Sequence, residues 1–186
     1  MIHAISRLCI VLMPLLLIAA CDRQTAAVDV AAAAKPFPSV SFSSLDGAAI
    51  SSDSYRGRLV VLNIWATWCS PCRREMPDLE RLGKALDPQR FAVIGLSADE
   101  DEHVVREYLN DKGLTFARFI DKDLKIIRDR LGISVYPATV LIAPNGMLIG
   151  QVIGPREWHS PAMIRLLEDA YQGKAVKLDE MPLARG

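Results

Sequence analysis

The sequence has few cysteines and histidines, and its net charge is zero. Among its 186 residues are four cysteines and three histidines, and 22 basic residues balance 22 acidic ones. Without an excess of basic residues, the chain lacks the electrostatic footprint of a nucleic-acid-binding protein or of a polybasic membrane patch. Its length suits one domain with a substantial hydrophobic core and is too short for two domains that each have one.

The apolar run at the start of the chain is too short to span a membrane. It covers 13 residues, from Leu8 to Ala20, and Pro14 interrupts it, whereas a membrane-spanning helix needs about 20. A weakly basic opening precedes the run and small residues end it, as in an export signal. We therefore predict a signal peptide over residues 1–20, with an uncleaved membrane anchor as the alternative.

The sequence IAAC at residues 18–21 resembles the bacterial lipobox, in which the cysteine receives a diacylglycerol and becomes the new N-terminus. The resemblance implies an exported lipoprotein anchored through Cys21. Asp22, which follows, resembles a retention signal for the inner membrane. The Ala-rich segment 21–35 has no turn chemistry and predicts a flexible tether between the membrane and the domain.

The folded domain is predicted over residues 36–173, with 174–186 as a loose C-terminal tail. Turn residues indicate a hairpin at each end of the domain, and between the hairpins apolar runs that predict strands alternate with helical periodicity. The predicted order is a hairpin around 46–47, a strand at 58–67, a helix at 73–86, a strand at 90–98, a helix at 99–113, a strand at 115–121, a short helix at 124–131, a hairpin around 144–146 and a helix from 160 to 171. This order predicts an α/β domain with a mixed central sheet and helices on both faces, as in a thioredoxin-like fold with an N-terminal β-hairpin and a central insertion.

Cys69 and Cys72 are the only cysteines left in the domain once Cys9 leaves with the signal peptide and Cys21 is lipidated. They form a C-x-x-C pair where a predicted buried strand meets the start of a helix. A thiol at a helix N-terminus faces the positive end of the helix dipole, which stabilises the thiolate and lowers its pKa. Cys69 is therefore predicted to be the nucleophile, and Cys72, one turn on, can reach back to close a disulfide.

Two other interpretations of the C-x-x-C pair stay open on the residues alone. The pair is also half of a zinc site, but tetrahedral zinc takes four ligands, and the domain offers no second cysteine pair. Its only histidines, His103 and His159, lie far apart in the sequence and are expected on the surface. A purely structural disulfide across so small a loop would stabilise little through chain entropy.

The segment WATWCSPCRREMPDLE, residues 65–80, resembles the active-site region of the TlpA/ResA-like thiol-disulfide oxidoreductases. These are exported thioredoxin-fold proteins, mostly membrane-tethered reductants, that include the cytochrome c maturation reductases. The resemblance covers about residues 36 to 172. It implies that Cys69 attacks, that Cys72 resolves and that Glu75 tunes the pair, without a cofactor or a metal. Glu75 shares a helix face with Cys72, since the two are three residues apart.

The same resemblance implies a substrate-binding surface beside the disulfide. Pro137, in GISVYPATVLI, occupies the place of the cis-proline of thioredoxin-like domains. The backbone of Tyr136 would pair with the substrate chain in the manner of a strand. Trp68 would cover the disulfide and help form the docking surface, while Trp65 is expected in the core.

One position departs from thioredoxin itself, which has a buried aspartate before its motif as the proton acceptor for the resolving cysteine. This sequence has Asn63 there. Asparagine takes no proton at physiological pH, so any such role passes to Glu75 or to water. Alternatively, Asn63 is a hydrogen-bonded buried amide. The acidic run 99–102 is expected to mark a helix N-terminus and nothing more.

We therefore predict a lipid-anchored thiol-disulfide oxidoreductase at the periplasmic face of the inner membrane. The resemblance implies that it reduces disulfides of exported proteins, with apocytochrome c favoured, and receives electrons from a DsbD/CcdA-type membrane donor. The first alternative is a disulfide oxidase or isomerase of the same fold. Two others are a copper metallochaperone, which would have C-x-x-x-C, and a peroxidase, which would have threonine in place of Ala66.

Overall fold

The computed structural model of the chain describes residues 35–184. The predicted signal peptide 1–20, Cys21 and all but the last residue of the predicted tether lie outside the described residues. Within the described range, no helix combines the length and the apolar character needed to cross a membrane.

Seven strands form one mixed sheet. They are β1 (Ser41–Ser44), β2 (Ala49–Ser51), β3 (Leu59–Trp65), β4 (Phe91–Ser97), β5 (Ala117–Ile120), β6 (Ala138–Ile142) and β7 (Leu148–Ile153). Their order across the sheet is β2-β1-β5-β4-β3-β6-β7. Strands β3, β4 and β5 are parallel, and β6 pairs antiparallel with β3. Both predicted hairpins are present, joining β1 to β2 and β6 to β7.

The helices begin where capping chemistry favours them. They are α1 (Ser70–Ala85), α2 (Glu102–Asp111) and α3 (Pro161–Tyr171). Helix α3 starts as predicted, with the Ser160 side chain accepting the backbone N–H of Met163. Helix α1 starts three residues before its predicted position at 73, because Cys69 caps it and Pro71 fits its first turn. The remaining helical turns lie at Ser52–Tyr55, Lys125–Arg130 and Leu178–Glu180.

The core lies between the sheet and these helices. Every residue of β3 and β4 is buried, as expected for central strands covered on both faces. Trp65 of β3 is in the core as predicted, packed on Tyr108 of α2, and Phe91 of β4 packs on Tyr171 of α3. On the opposite face, the helical turn Ser52–Tyr55 lies against the sheet. The structure thus confirms the predicted α/β fold.

The predicted central insertion explains how the N-terminal hairpin joins the sheet. Strand β5, supplied by the insertion, pairs parallel with β4 on one side and antiparallel with β1 on the other. The hairpin therefore extends the sheet at the edge away from β7. The carboxyl ends of β3 and β4, and the residues that follow them, meet at one end of the sheet.

The segment after α3 differs from the predicted loose tail. Val176 and Met181 are buried, and the backbone N–H of Glu157 donates to the carbonyl of Pro182 at 2.9 Å. The prediction of a loose tail was wrong because isolated apolar side chains show no periodicity, and the surface that buries them exists only after folding. Residues 174–184 are part of the packed domain.

Candidate functional site

The two cysteines lie at the end of the loop that leads from β3 into α1. Cys69 and Cys72 form a disulfide with an S–S distance of 2.11 Å and Cα atoms 5.3 Å apart. Cys69 is the N-cap of α1, and its Sγ accepts the backbone N–H of Cys72 at 3.3 Å. Cys69 is 6% exposed and Cys72 0%. Of the two cysteines, only Cys69 has any exposed surface.

Glu75 lies one helical turn after Cys72 and is 2% exposed. Its carboxylate accepts three hydrogen bonds: Asn63 Nδ2 donates to Oε1 at 2.9 Å, while the backbone N–H of Arg156 and the indole Nε1 of Trp158 donate to Oε2 at 3.1 and 2.9 Å. Burial raises the pKa of Glu75, and the hydrogen bonds from Trp158, Asn63 and Arg156 oppose that rise without cancelling it. Glu75 therefore holds a proton more readily than a surface glutamate does.

Glu80 is a second buried carboxylate on α1, which the sequence analysis missed. It accepts the backbone N–H groups of Thr115 and Phe116 at 2.7 and 3.2 Å and the Thr115 hydroxyl at 2.6 Å, and it pairs with Lys84 at 2.9 Å. Burial alone would raise its pKa, but the donors from Thr115, Lys84 and Phe116 outweigh burial and lower the pKa to about 2. Glu80 therefore stays ionised and ties α1 to the start of β5.

Asn63 is fully buried beside Glu75, as the buried-amide interpretation predicts. Its Nδ2 also donates to Thr139 Oγ1 at 3.1 Å, and Oδ1 has no hydrogen-bond partner among the residues that the structure describes. Thr139, Arg156 and Trp158 were missed by the sequence analysis. They lie 76 to 83 residues away from their partners in the chain, so no local pattern connects them to this site.

An exposed apolar surface adjoins Cys69. Trp68 is 65% exposed and Val135 is 57% exposed, and the Trp68 ring contacts Tyr136 edge-on with centroids 5.8 Å apart. The Tyr136–Pro137 peptide is cis, as the resemblance implies. Because β6 starts beside the end of β3, the structure brings together at one end of the sheet the residues named from sequence as a substrate-binding surface.

Asp99 overturns the expectation that the acidic run 99–102 marks only a helix start. Asp101 does cap α2, accepting the backbone N–H of His103 at 2.8 Å. Asp99 is buried instead, and its carboxylate accepts the Thr67 backbone N–H, the Thr67 hydroxyl and the Ser97 hydroxyl at 2.9, 2.6 and 2.6 Å. It holds the loop before Cys69. One feature of the sequence could have indicated this role: Asp99 lies just beyond the carboxyl end of the central strand β4, where functional residues gather in α/β sheets.

We expect Asp99→Ala to lower the free energy of unfolding by about 2 kcal/mol, because three donors lose a buried acceptor. The loop that carries Cys69 should loosen, so the rate of thiol-disulfide exchange should also fall. Urea denaturation and exchange kinetics measure the two effects. As a control, Asp101→Ala removes a helix cap worth about 1 kcal/mol and should leave the exchange rate unchanged. Equal exchange rates in the two variants would contradict a role for Asp99 in positioning the loop.

Comparisons with known proteins agree with this geometry. The AhpC/TSA family profile matches residues 33–150. The thiol-disulfide oxidoreductase ResA of Bacillus thuringiensis (strain Al Hakam) is 36% identical over 120 residues, which are 64% of this chain and 69% of that protein. The thioredoxin-like protein YneN of Bacillus subtilis (strain 168) is 37% identical over 114 residues, 60% of this chain and 65% of that protein.

A solved structure extends the likeness to the whole fold. The crystal structure of a thiol:disulfide interchange protein, a thioredoxin family protein from Chlorobium tepidum TLS, has a TM-score of 0.64 and 30% identity. The match covers 74% of this chain and 96% of that one. The family profile and the identity to ResA together show that the chain belongs to the AhpC/TSA family, as a thiol-disulfide oxidoreductase of the ResA type.

Proposed function

We propose that the protein reduces disulfides of exported proteins through the dithiol of Cys69 and Cys72. The Cys69 thiolate attacks one sulfur of the partner disulfide, and the other partner sulfur leaves as a thiolate. The Cys72 thiolate then attacks Cys69 Sγ and releases the second partner sulfur. The partner gains two electrons and two protons, and the Cys69–Cys72 disulfide is formed. The observation that carries this order of attack is the burial of Cys72 behind a Cys69 that caps α1.

Glu75 serves as the base for the second attack. Cys72 is fully buried, so its proton needs a nearby acceptor when the thiolate forms. Glu75 follows one turn later on the same helix, and burial brings its pKa closer to that of a thiol. Asn63 has no such capacity, and its amide instead orients the Glu75 carboxylate.

The partner chain lies along the surface formed by Trp68, Tyr136 and Pro137. The backbone of Tyr136 pairs with it as a strand would, and the exposed Trp68 ring packs on the apolar side chains next to its cysteine. The position of these residues at the Cys69 end of the sheet supports this arrangement.

The protein acts from a lipid anchor on Cys21 at the periplasmic face of the inner membrane. The export-signal pattern of residues 1–20 and the lipobox support this location. Segment 21–35 serves as the tether. We propose apocytochrome c as the favoured substrate and a DsbD/CcdA-type dithiol as the electron donor, as the resemblance of segment 65–80 to the TlpA/ResA-like oxidoreductases implies.

The direction of exchange is tested by the equilibrium reduction potential of the Cys69/Cys72 pair in glutathione or dithiothreitol buffers. Thioredoxin, a reductant, lies near −270 mV and DsbA, an oxidant, near −120 mV. We expect a value below about −200 mV. A value above about −150 mV would contradict the reductase proposal and favour the disulfide oxidase of the same fold.

A further inference from the structure

A groove between α1 and α2 opens beside the disulfide. It begins at Ser70, the residue after Cys69, and runs along α1. The residues that line it are Ser70, Arg73, Arg74, Pro77, Tyr108 and Lys112. Three of the six are cations, and none is a carboxylate.

The three cations of this groove are exposed, and among the described residues they have no carboxylate partner. Arg73, Arg74 and Lys112 take part in none of the ion pairs formed within residues 35–184. Within the part of the chain that the structure describes, the side chain of Arg73 donates only to the Ser70 hydroxyl, at 3.4 Å. Farther along α1 the pattern changes, since Arg81 pairs with Asp78 and Lys84 with Glu80. The end of α1 next to the disulfide therefore keeps its positive charge available.

The floor of the groove is fixed by packing. Pro77 has no N–H, so the carbonyl of Arg73 loses its normal helical donor. The hydroxyl of Tyr108, on α2, donates to that carbonyl at 3.5 Å, and the Tyr108 ring packs on the buried Trp65. The two helices are thereby held together, and the groove is a stable feature of the fold.

We propose that this groove binds an acidic segment of the partner protein, next to the cysteine that Cys69 attacks. The inference rests on the proposed function. Carboxylates of the partner would pair with Arg73, Arg74 and Lys112 while its apolar side chains lie on Trp68 at the other side of Cys69. Because the cations are exposed, the pairing should act mainly on the rate of encounter and should be sensitive to salt.

The test compares three disulfide-containing peptides that differ only at the residues next to one cysteine, which are glutamate, glutamine or lysine. Stopped-flow kinetics follow their reaction with the reduced protein. We expect the glutamate peptide to react about tenfold faster than the glutamine peptide at low salt. The difference should largely disappear near 1 M salt, where the Debye length is about 3 Å. The lysine peptide should be the slowest.

Two variants assign the preference to the groove. Lys112→Glu and Arg74→Glu should each remove most of the preference for the glutamate peptide over the glutamine peptide. The matched control is Lys35→Glu. Lys35 is exposed, and its carbonyl accepts the N–H of Leu148 at the start of β7, which is the end of the sheet far from Cys69. This variant should keep the preference.

The outcomes separate the inference from the proposed function. Equal rates for the three peptides would overturn the acidic-partner inference and leave the reductase proposal standing. An equal loss of preference in Lys35→Glu and Lys112→Glu would also overturn it, because net charge would then explain the effect. If the wild-type protein reduces none of the peptides, including the glutamine peptide, the proposed function itself fails.

Discussion

Replacing Cys72 by serine is expected to lower turnover by roughly 10³-fold or more while leaving Cys69 reactive. Serine cannot attack the Cys69 sulfur, so the reaction stops after the first exchange and the partner stays attached through a mixed disulfide. Cys72 is fully buried, and the isosteric hydroxyl should leave the fold intact. Non-reducing electrophoresis and mass spectrometry would detect the trapped adduct and locate it at Cys69.

Cys69→Ser provides the matched control. It changes the neighbouring thiol in the same way, but it leaves only the buried Cys72, which a partner cannot reach. We expect this variant to be inactive and to trap no partner. Adducts of equal yield through Cys72 would contradict the order of attack that burial and helix capping assign to the two sulfurs.

Replacing Glu75 by glutamine is expected to slow the release step by about 10²- to 10⁴-fold, the usual contribution of a positioned general base. The rate of this step should also lose the part of its pH dependence that comes from the titration of Glu75. Stopped-flow measurements of mixed-disulfide breakdown between pH 5 and pH 9 would test both effects. Glu80→Gln is the control, because it changes a buried carboxylate farther along the same helix whose partners are Thr115, Phe116 and Lys84. It should leave the pH profile unchanged, and identical profiles for the wild type and Glu75→Gln would refute the base assignment.

The two glutamates should also affect stability in opposite directions as the pH changes. The pKa of Glu75 is raised by burial, so its favourable contribution is full below the unfolded value of about 4.3 and is lost as the pH rises through the folded value. The pKa of Glu80 is lowered to about 2, so its contribution is full above the unfolded value and is lost as the pH falls toward 2. Urea denaturation of the oxidised protein across this range would measure both slopes.

Each variant should remove one of these slopes. Glu80→Gln should flatten the acid limb of the stability profile and cost about 1–3 kcal/mol at neutral pH, because buried donors lose a charged acceptor. Glu75→Gln should reduce the fall in the free energy of unfolding that occurs as the pH rises above the unfolded pKa of glutamate. A steeper acid limb in Glu80→Gln would contradict the assigned role of its hydrogen bonds.

Local chemistry explains why so much of the fold was predictable. The β3–α1 junction follows from a continuous apolar run and a proline that suits a first helical turn, although the Cys69 cap that starts α1 at Ser70 was not predicted. The second hairpin follows from Pro144-Asn145-Gly146, and α3 from Ser160-Pro161. In each case, the residues that form the structure are neighbours in the chain. Prediction failed at Asp99 and in the segment 174–184, where the partners are distant.

The sequence by itself determined which residues carry the thiol chemistry. A C-x-x-C pair at a strand-to-helix junction places Cys69 at the helix N-terminus. Cys72 lies one turn farther along the helix, because three residues are close to one helical turn. The behaviour of the neighbouring carboxylates was decided by the tertiary structure. Glu75 and Glu80 are the same residue type on one helix, yet their pKa values shift in opposite directions. Burial outweighs the donors at Glu75, whereas at Glu80 the donors of Thr115, Lys84 and Phe116 outweigh burial. Lys84 is a neighbour on the same helix, but only folding brings Thr115 and Phe116 to Glu80.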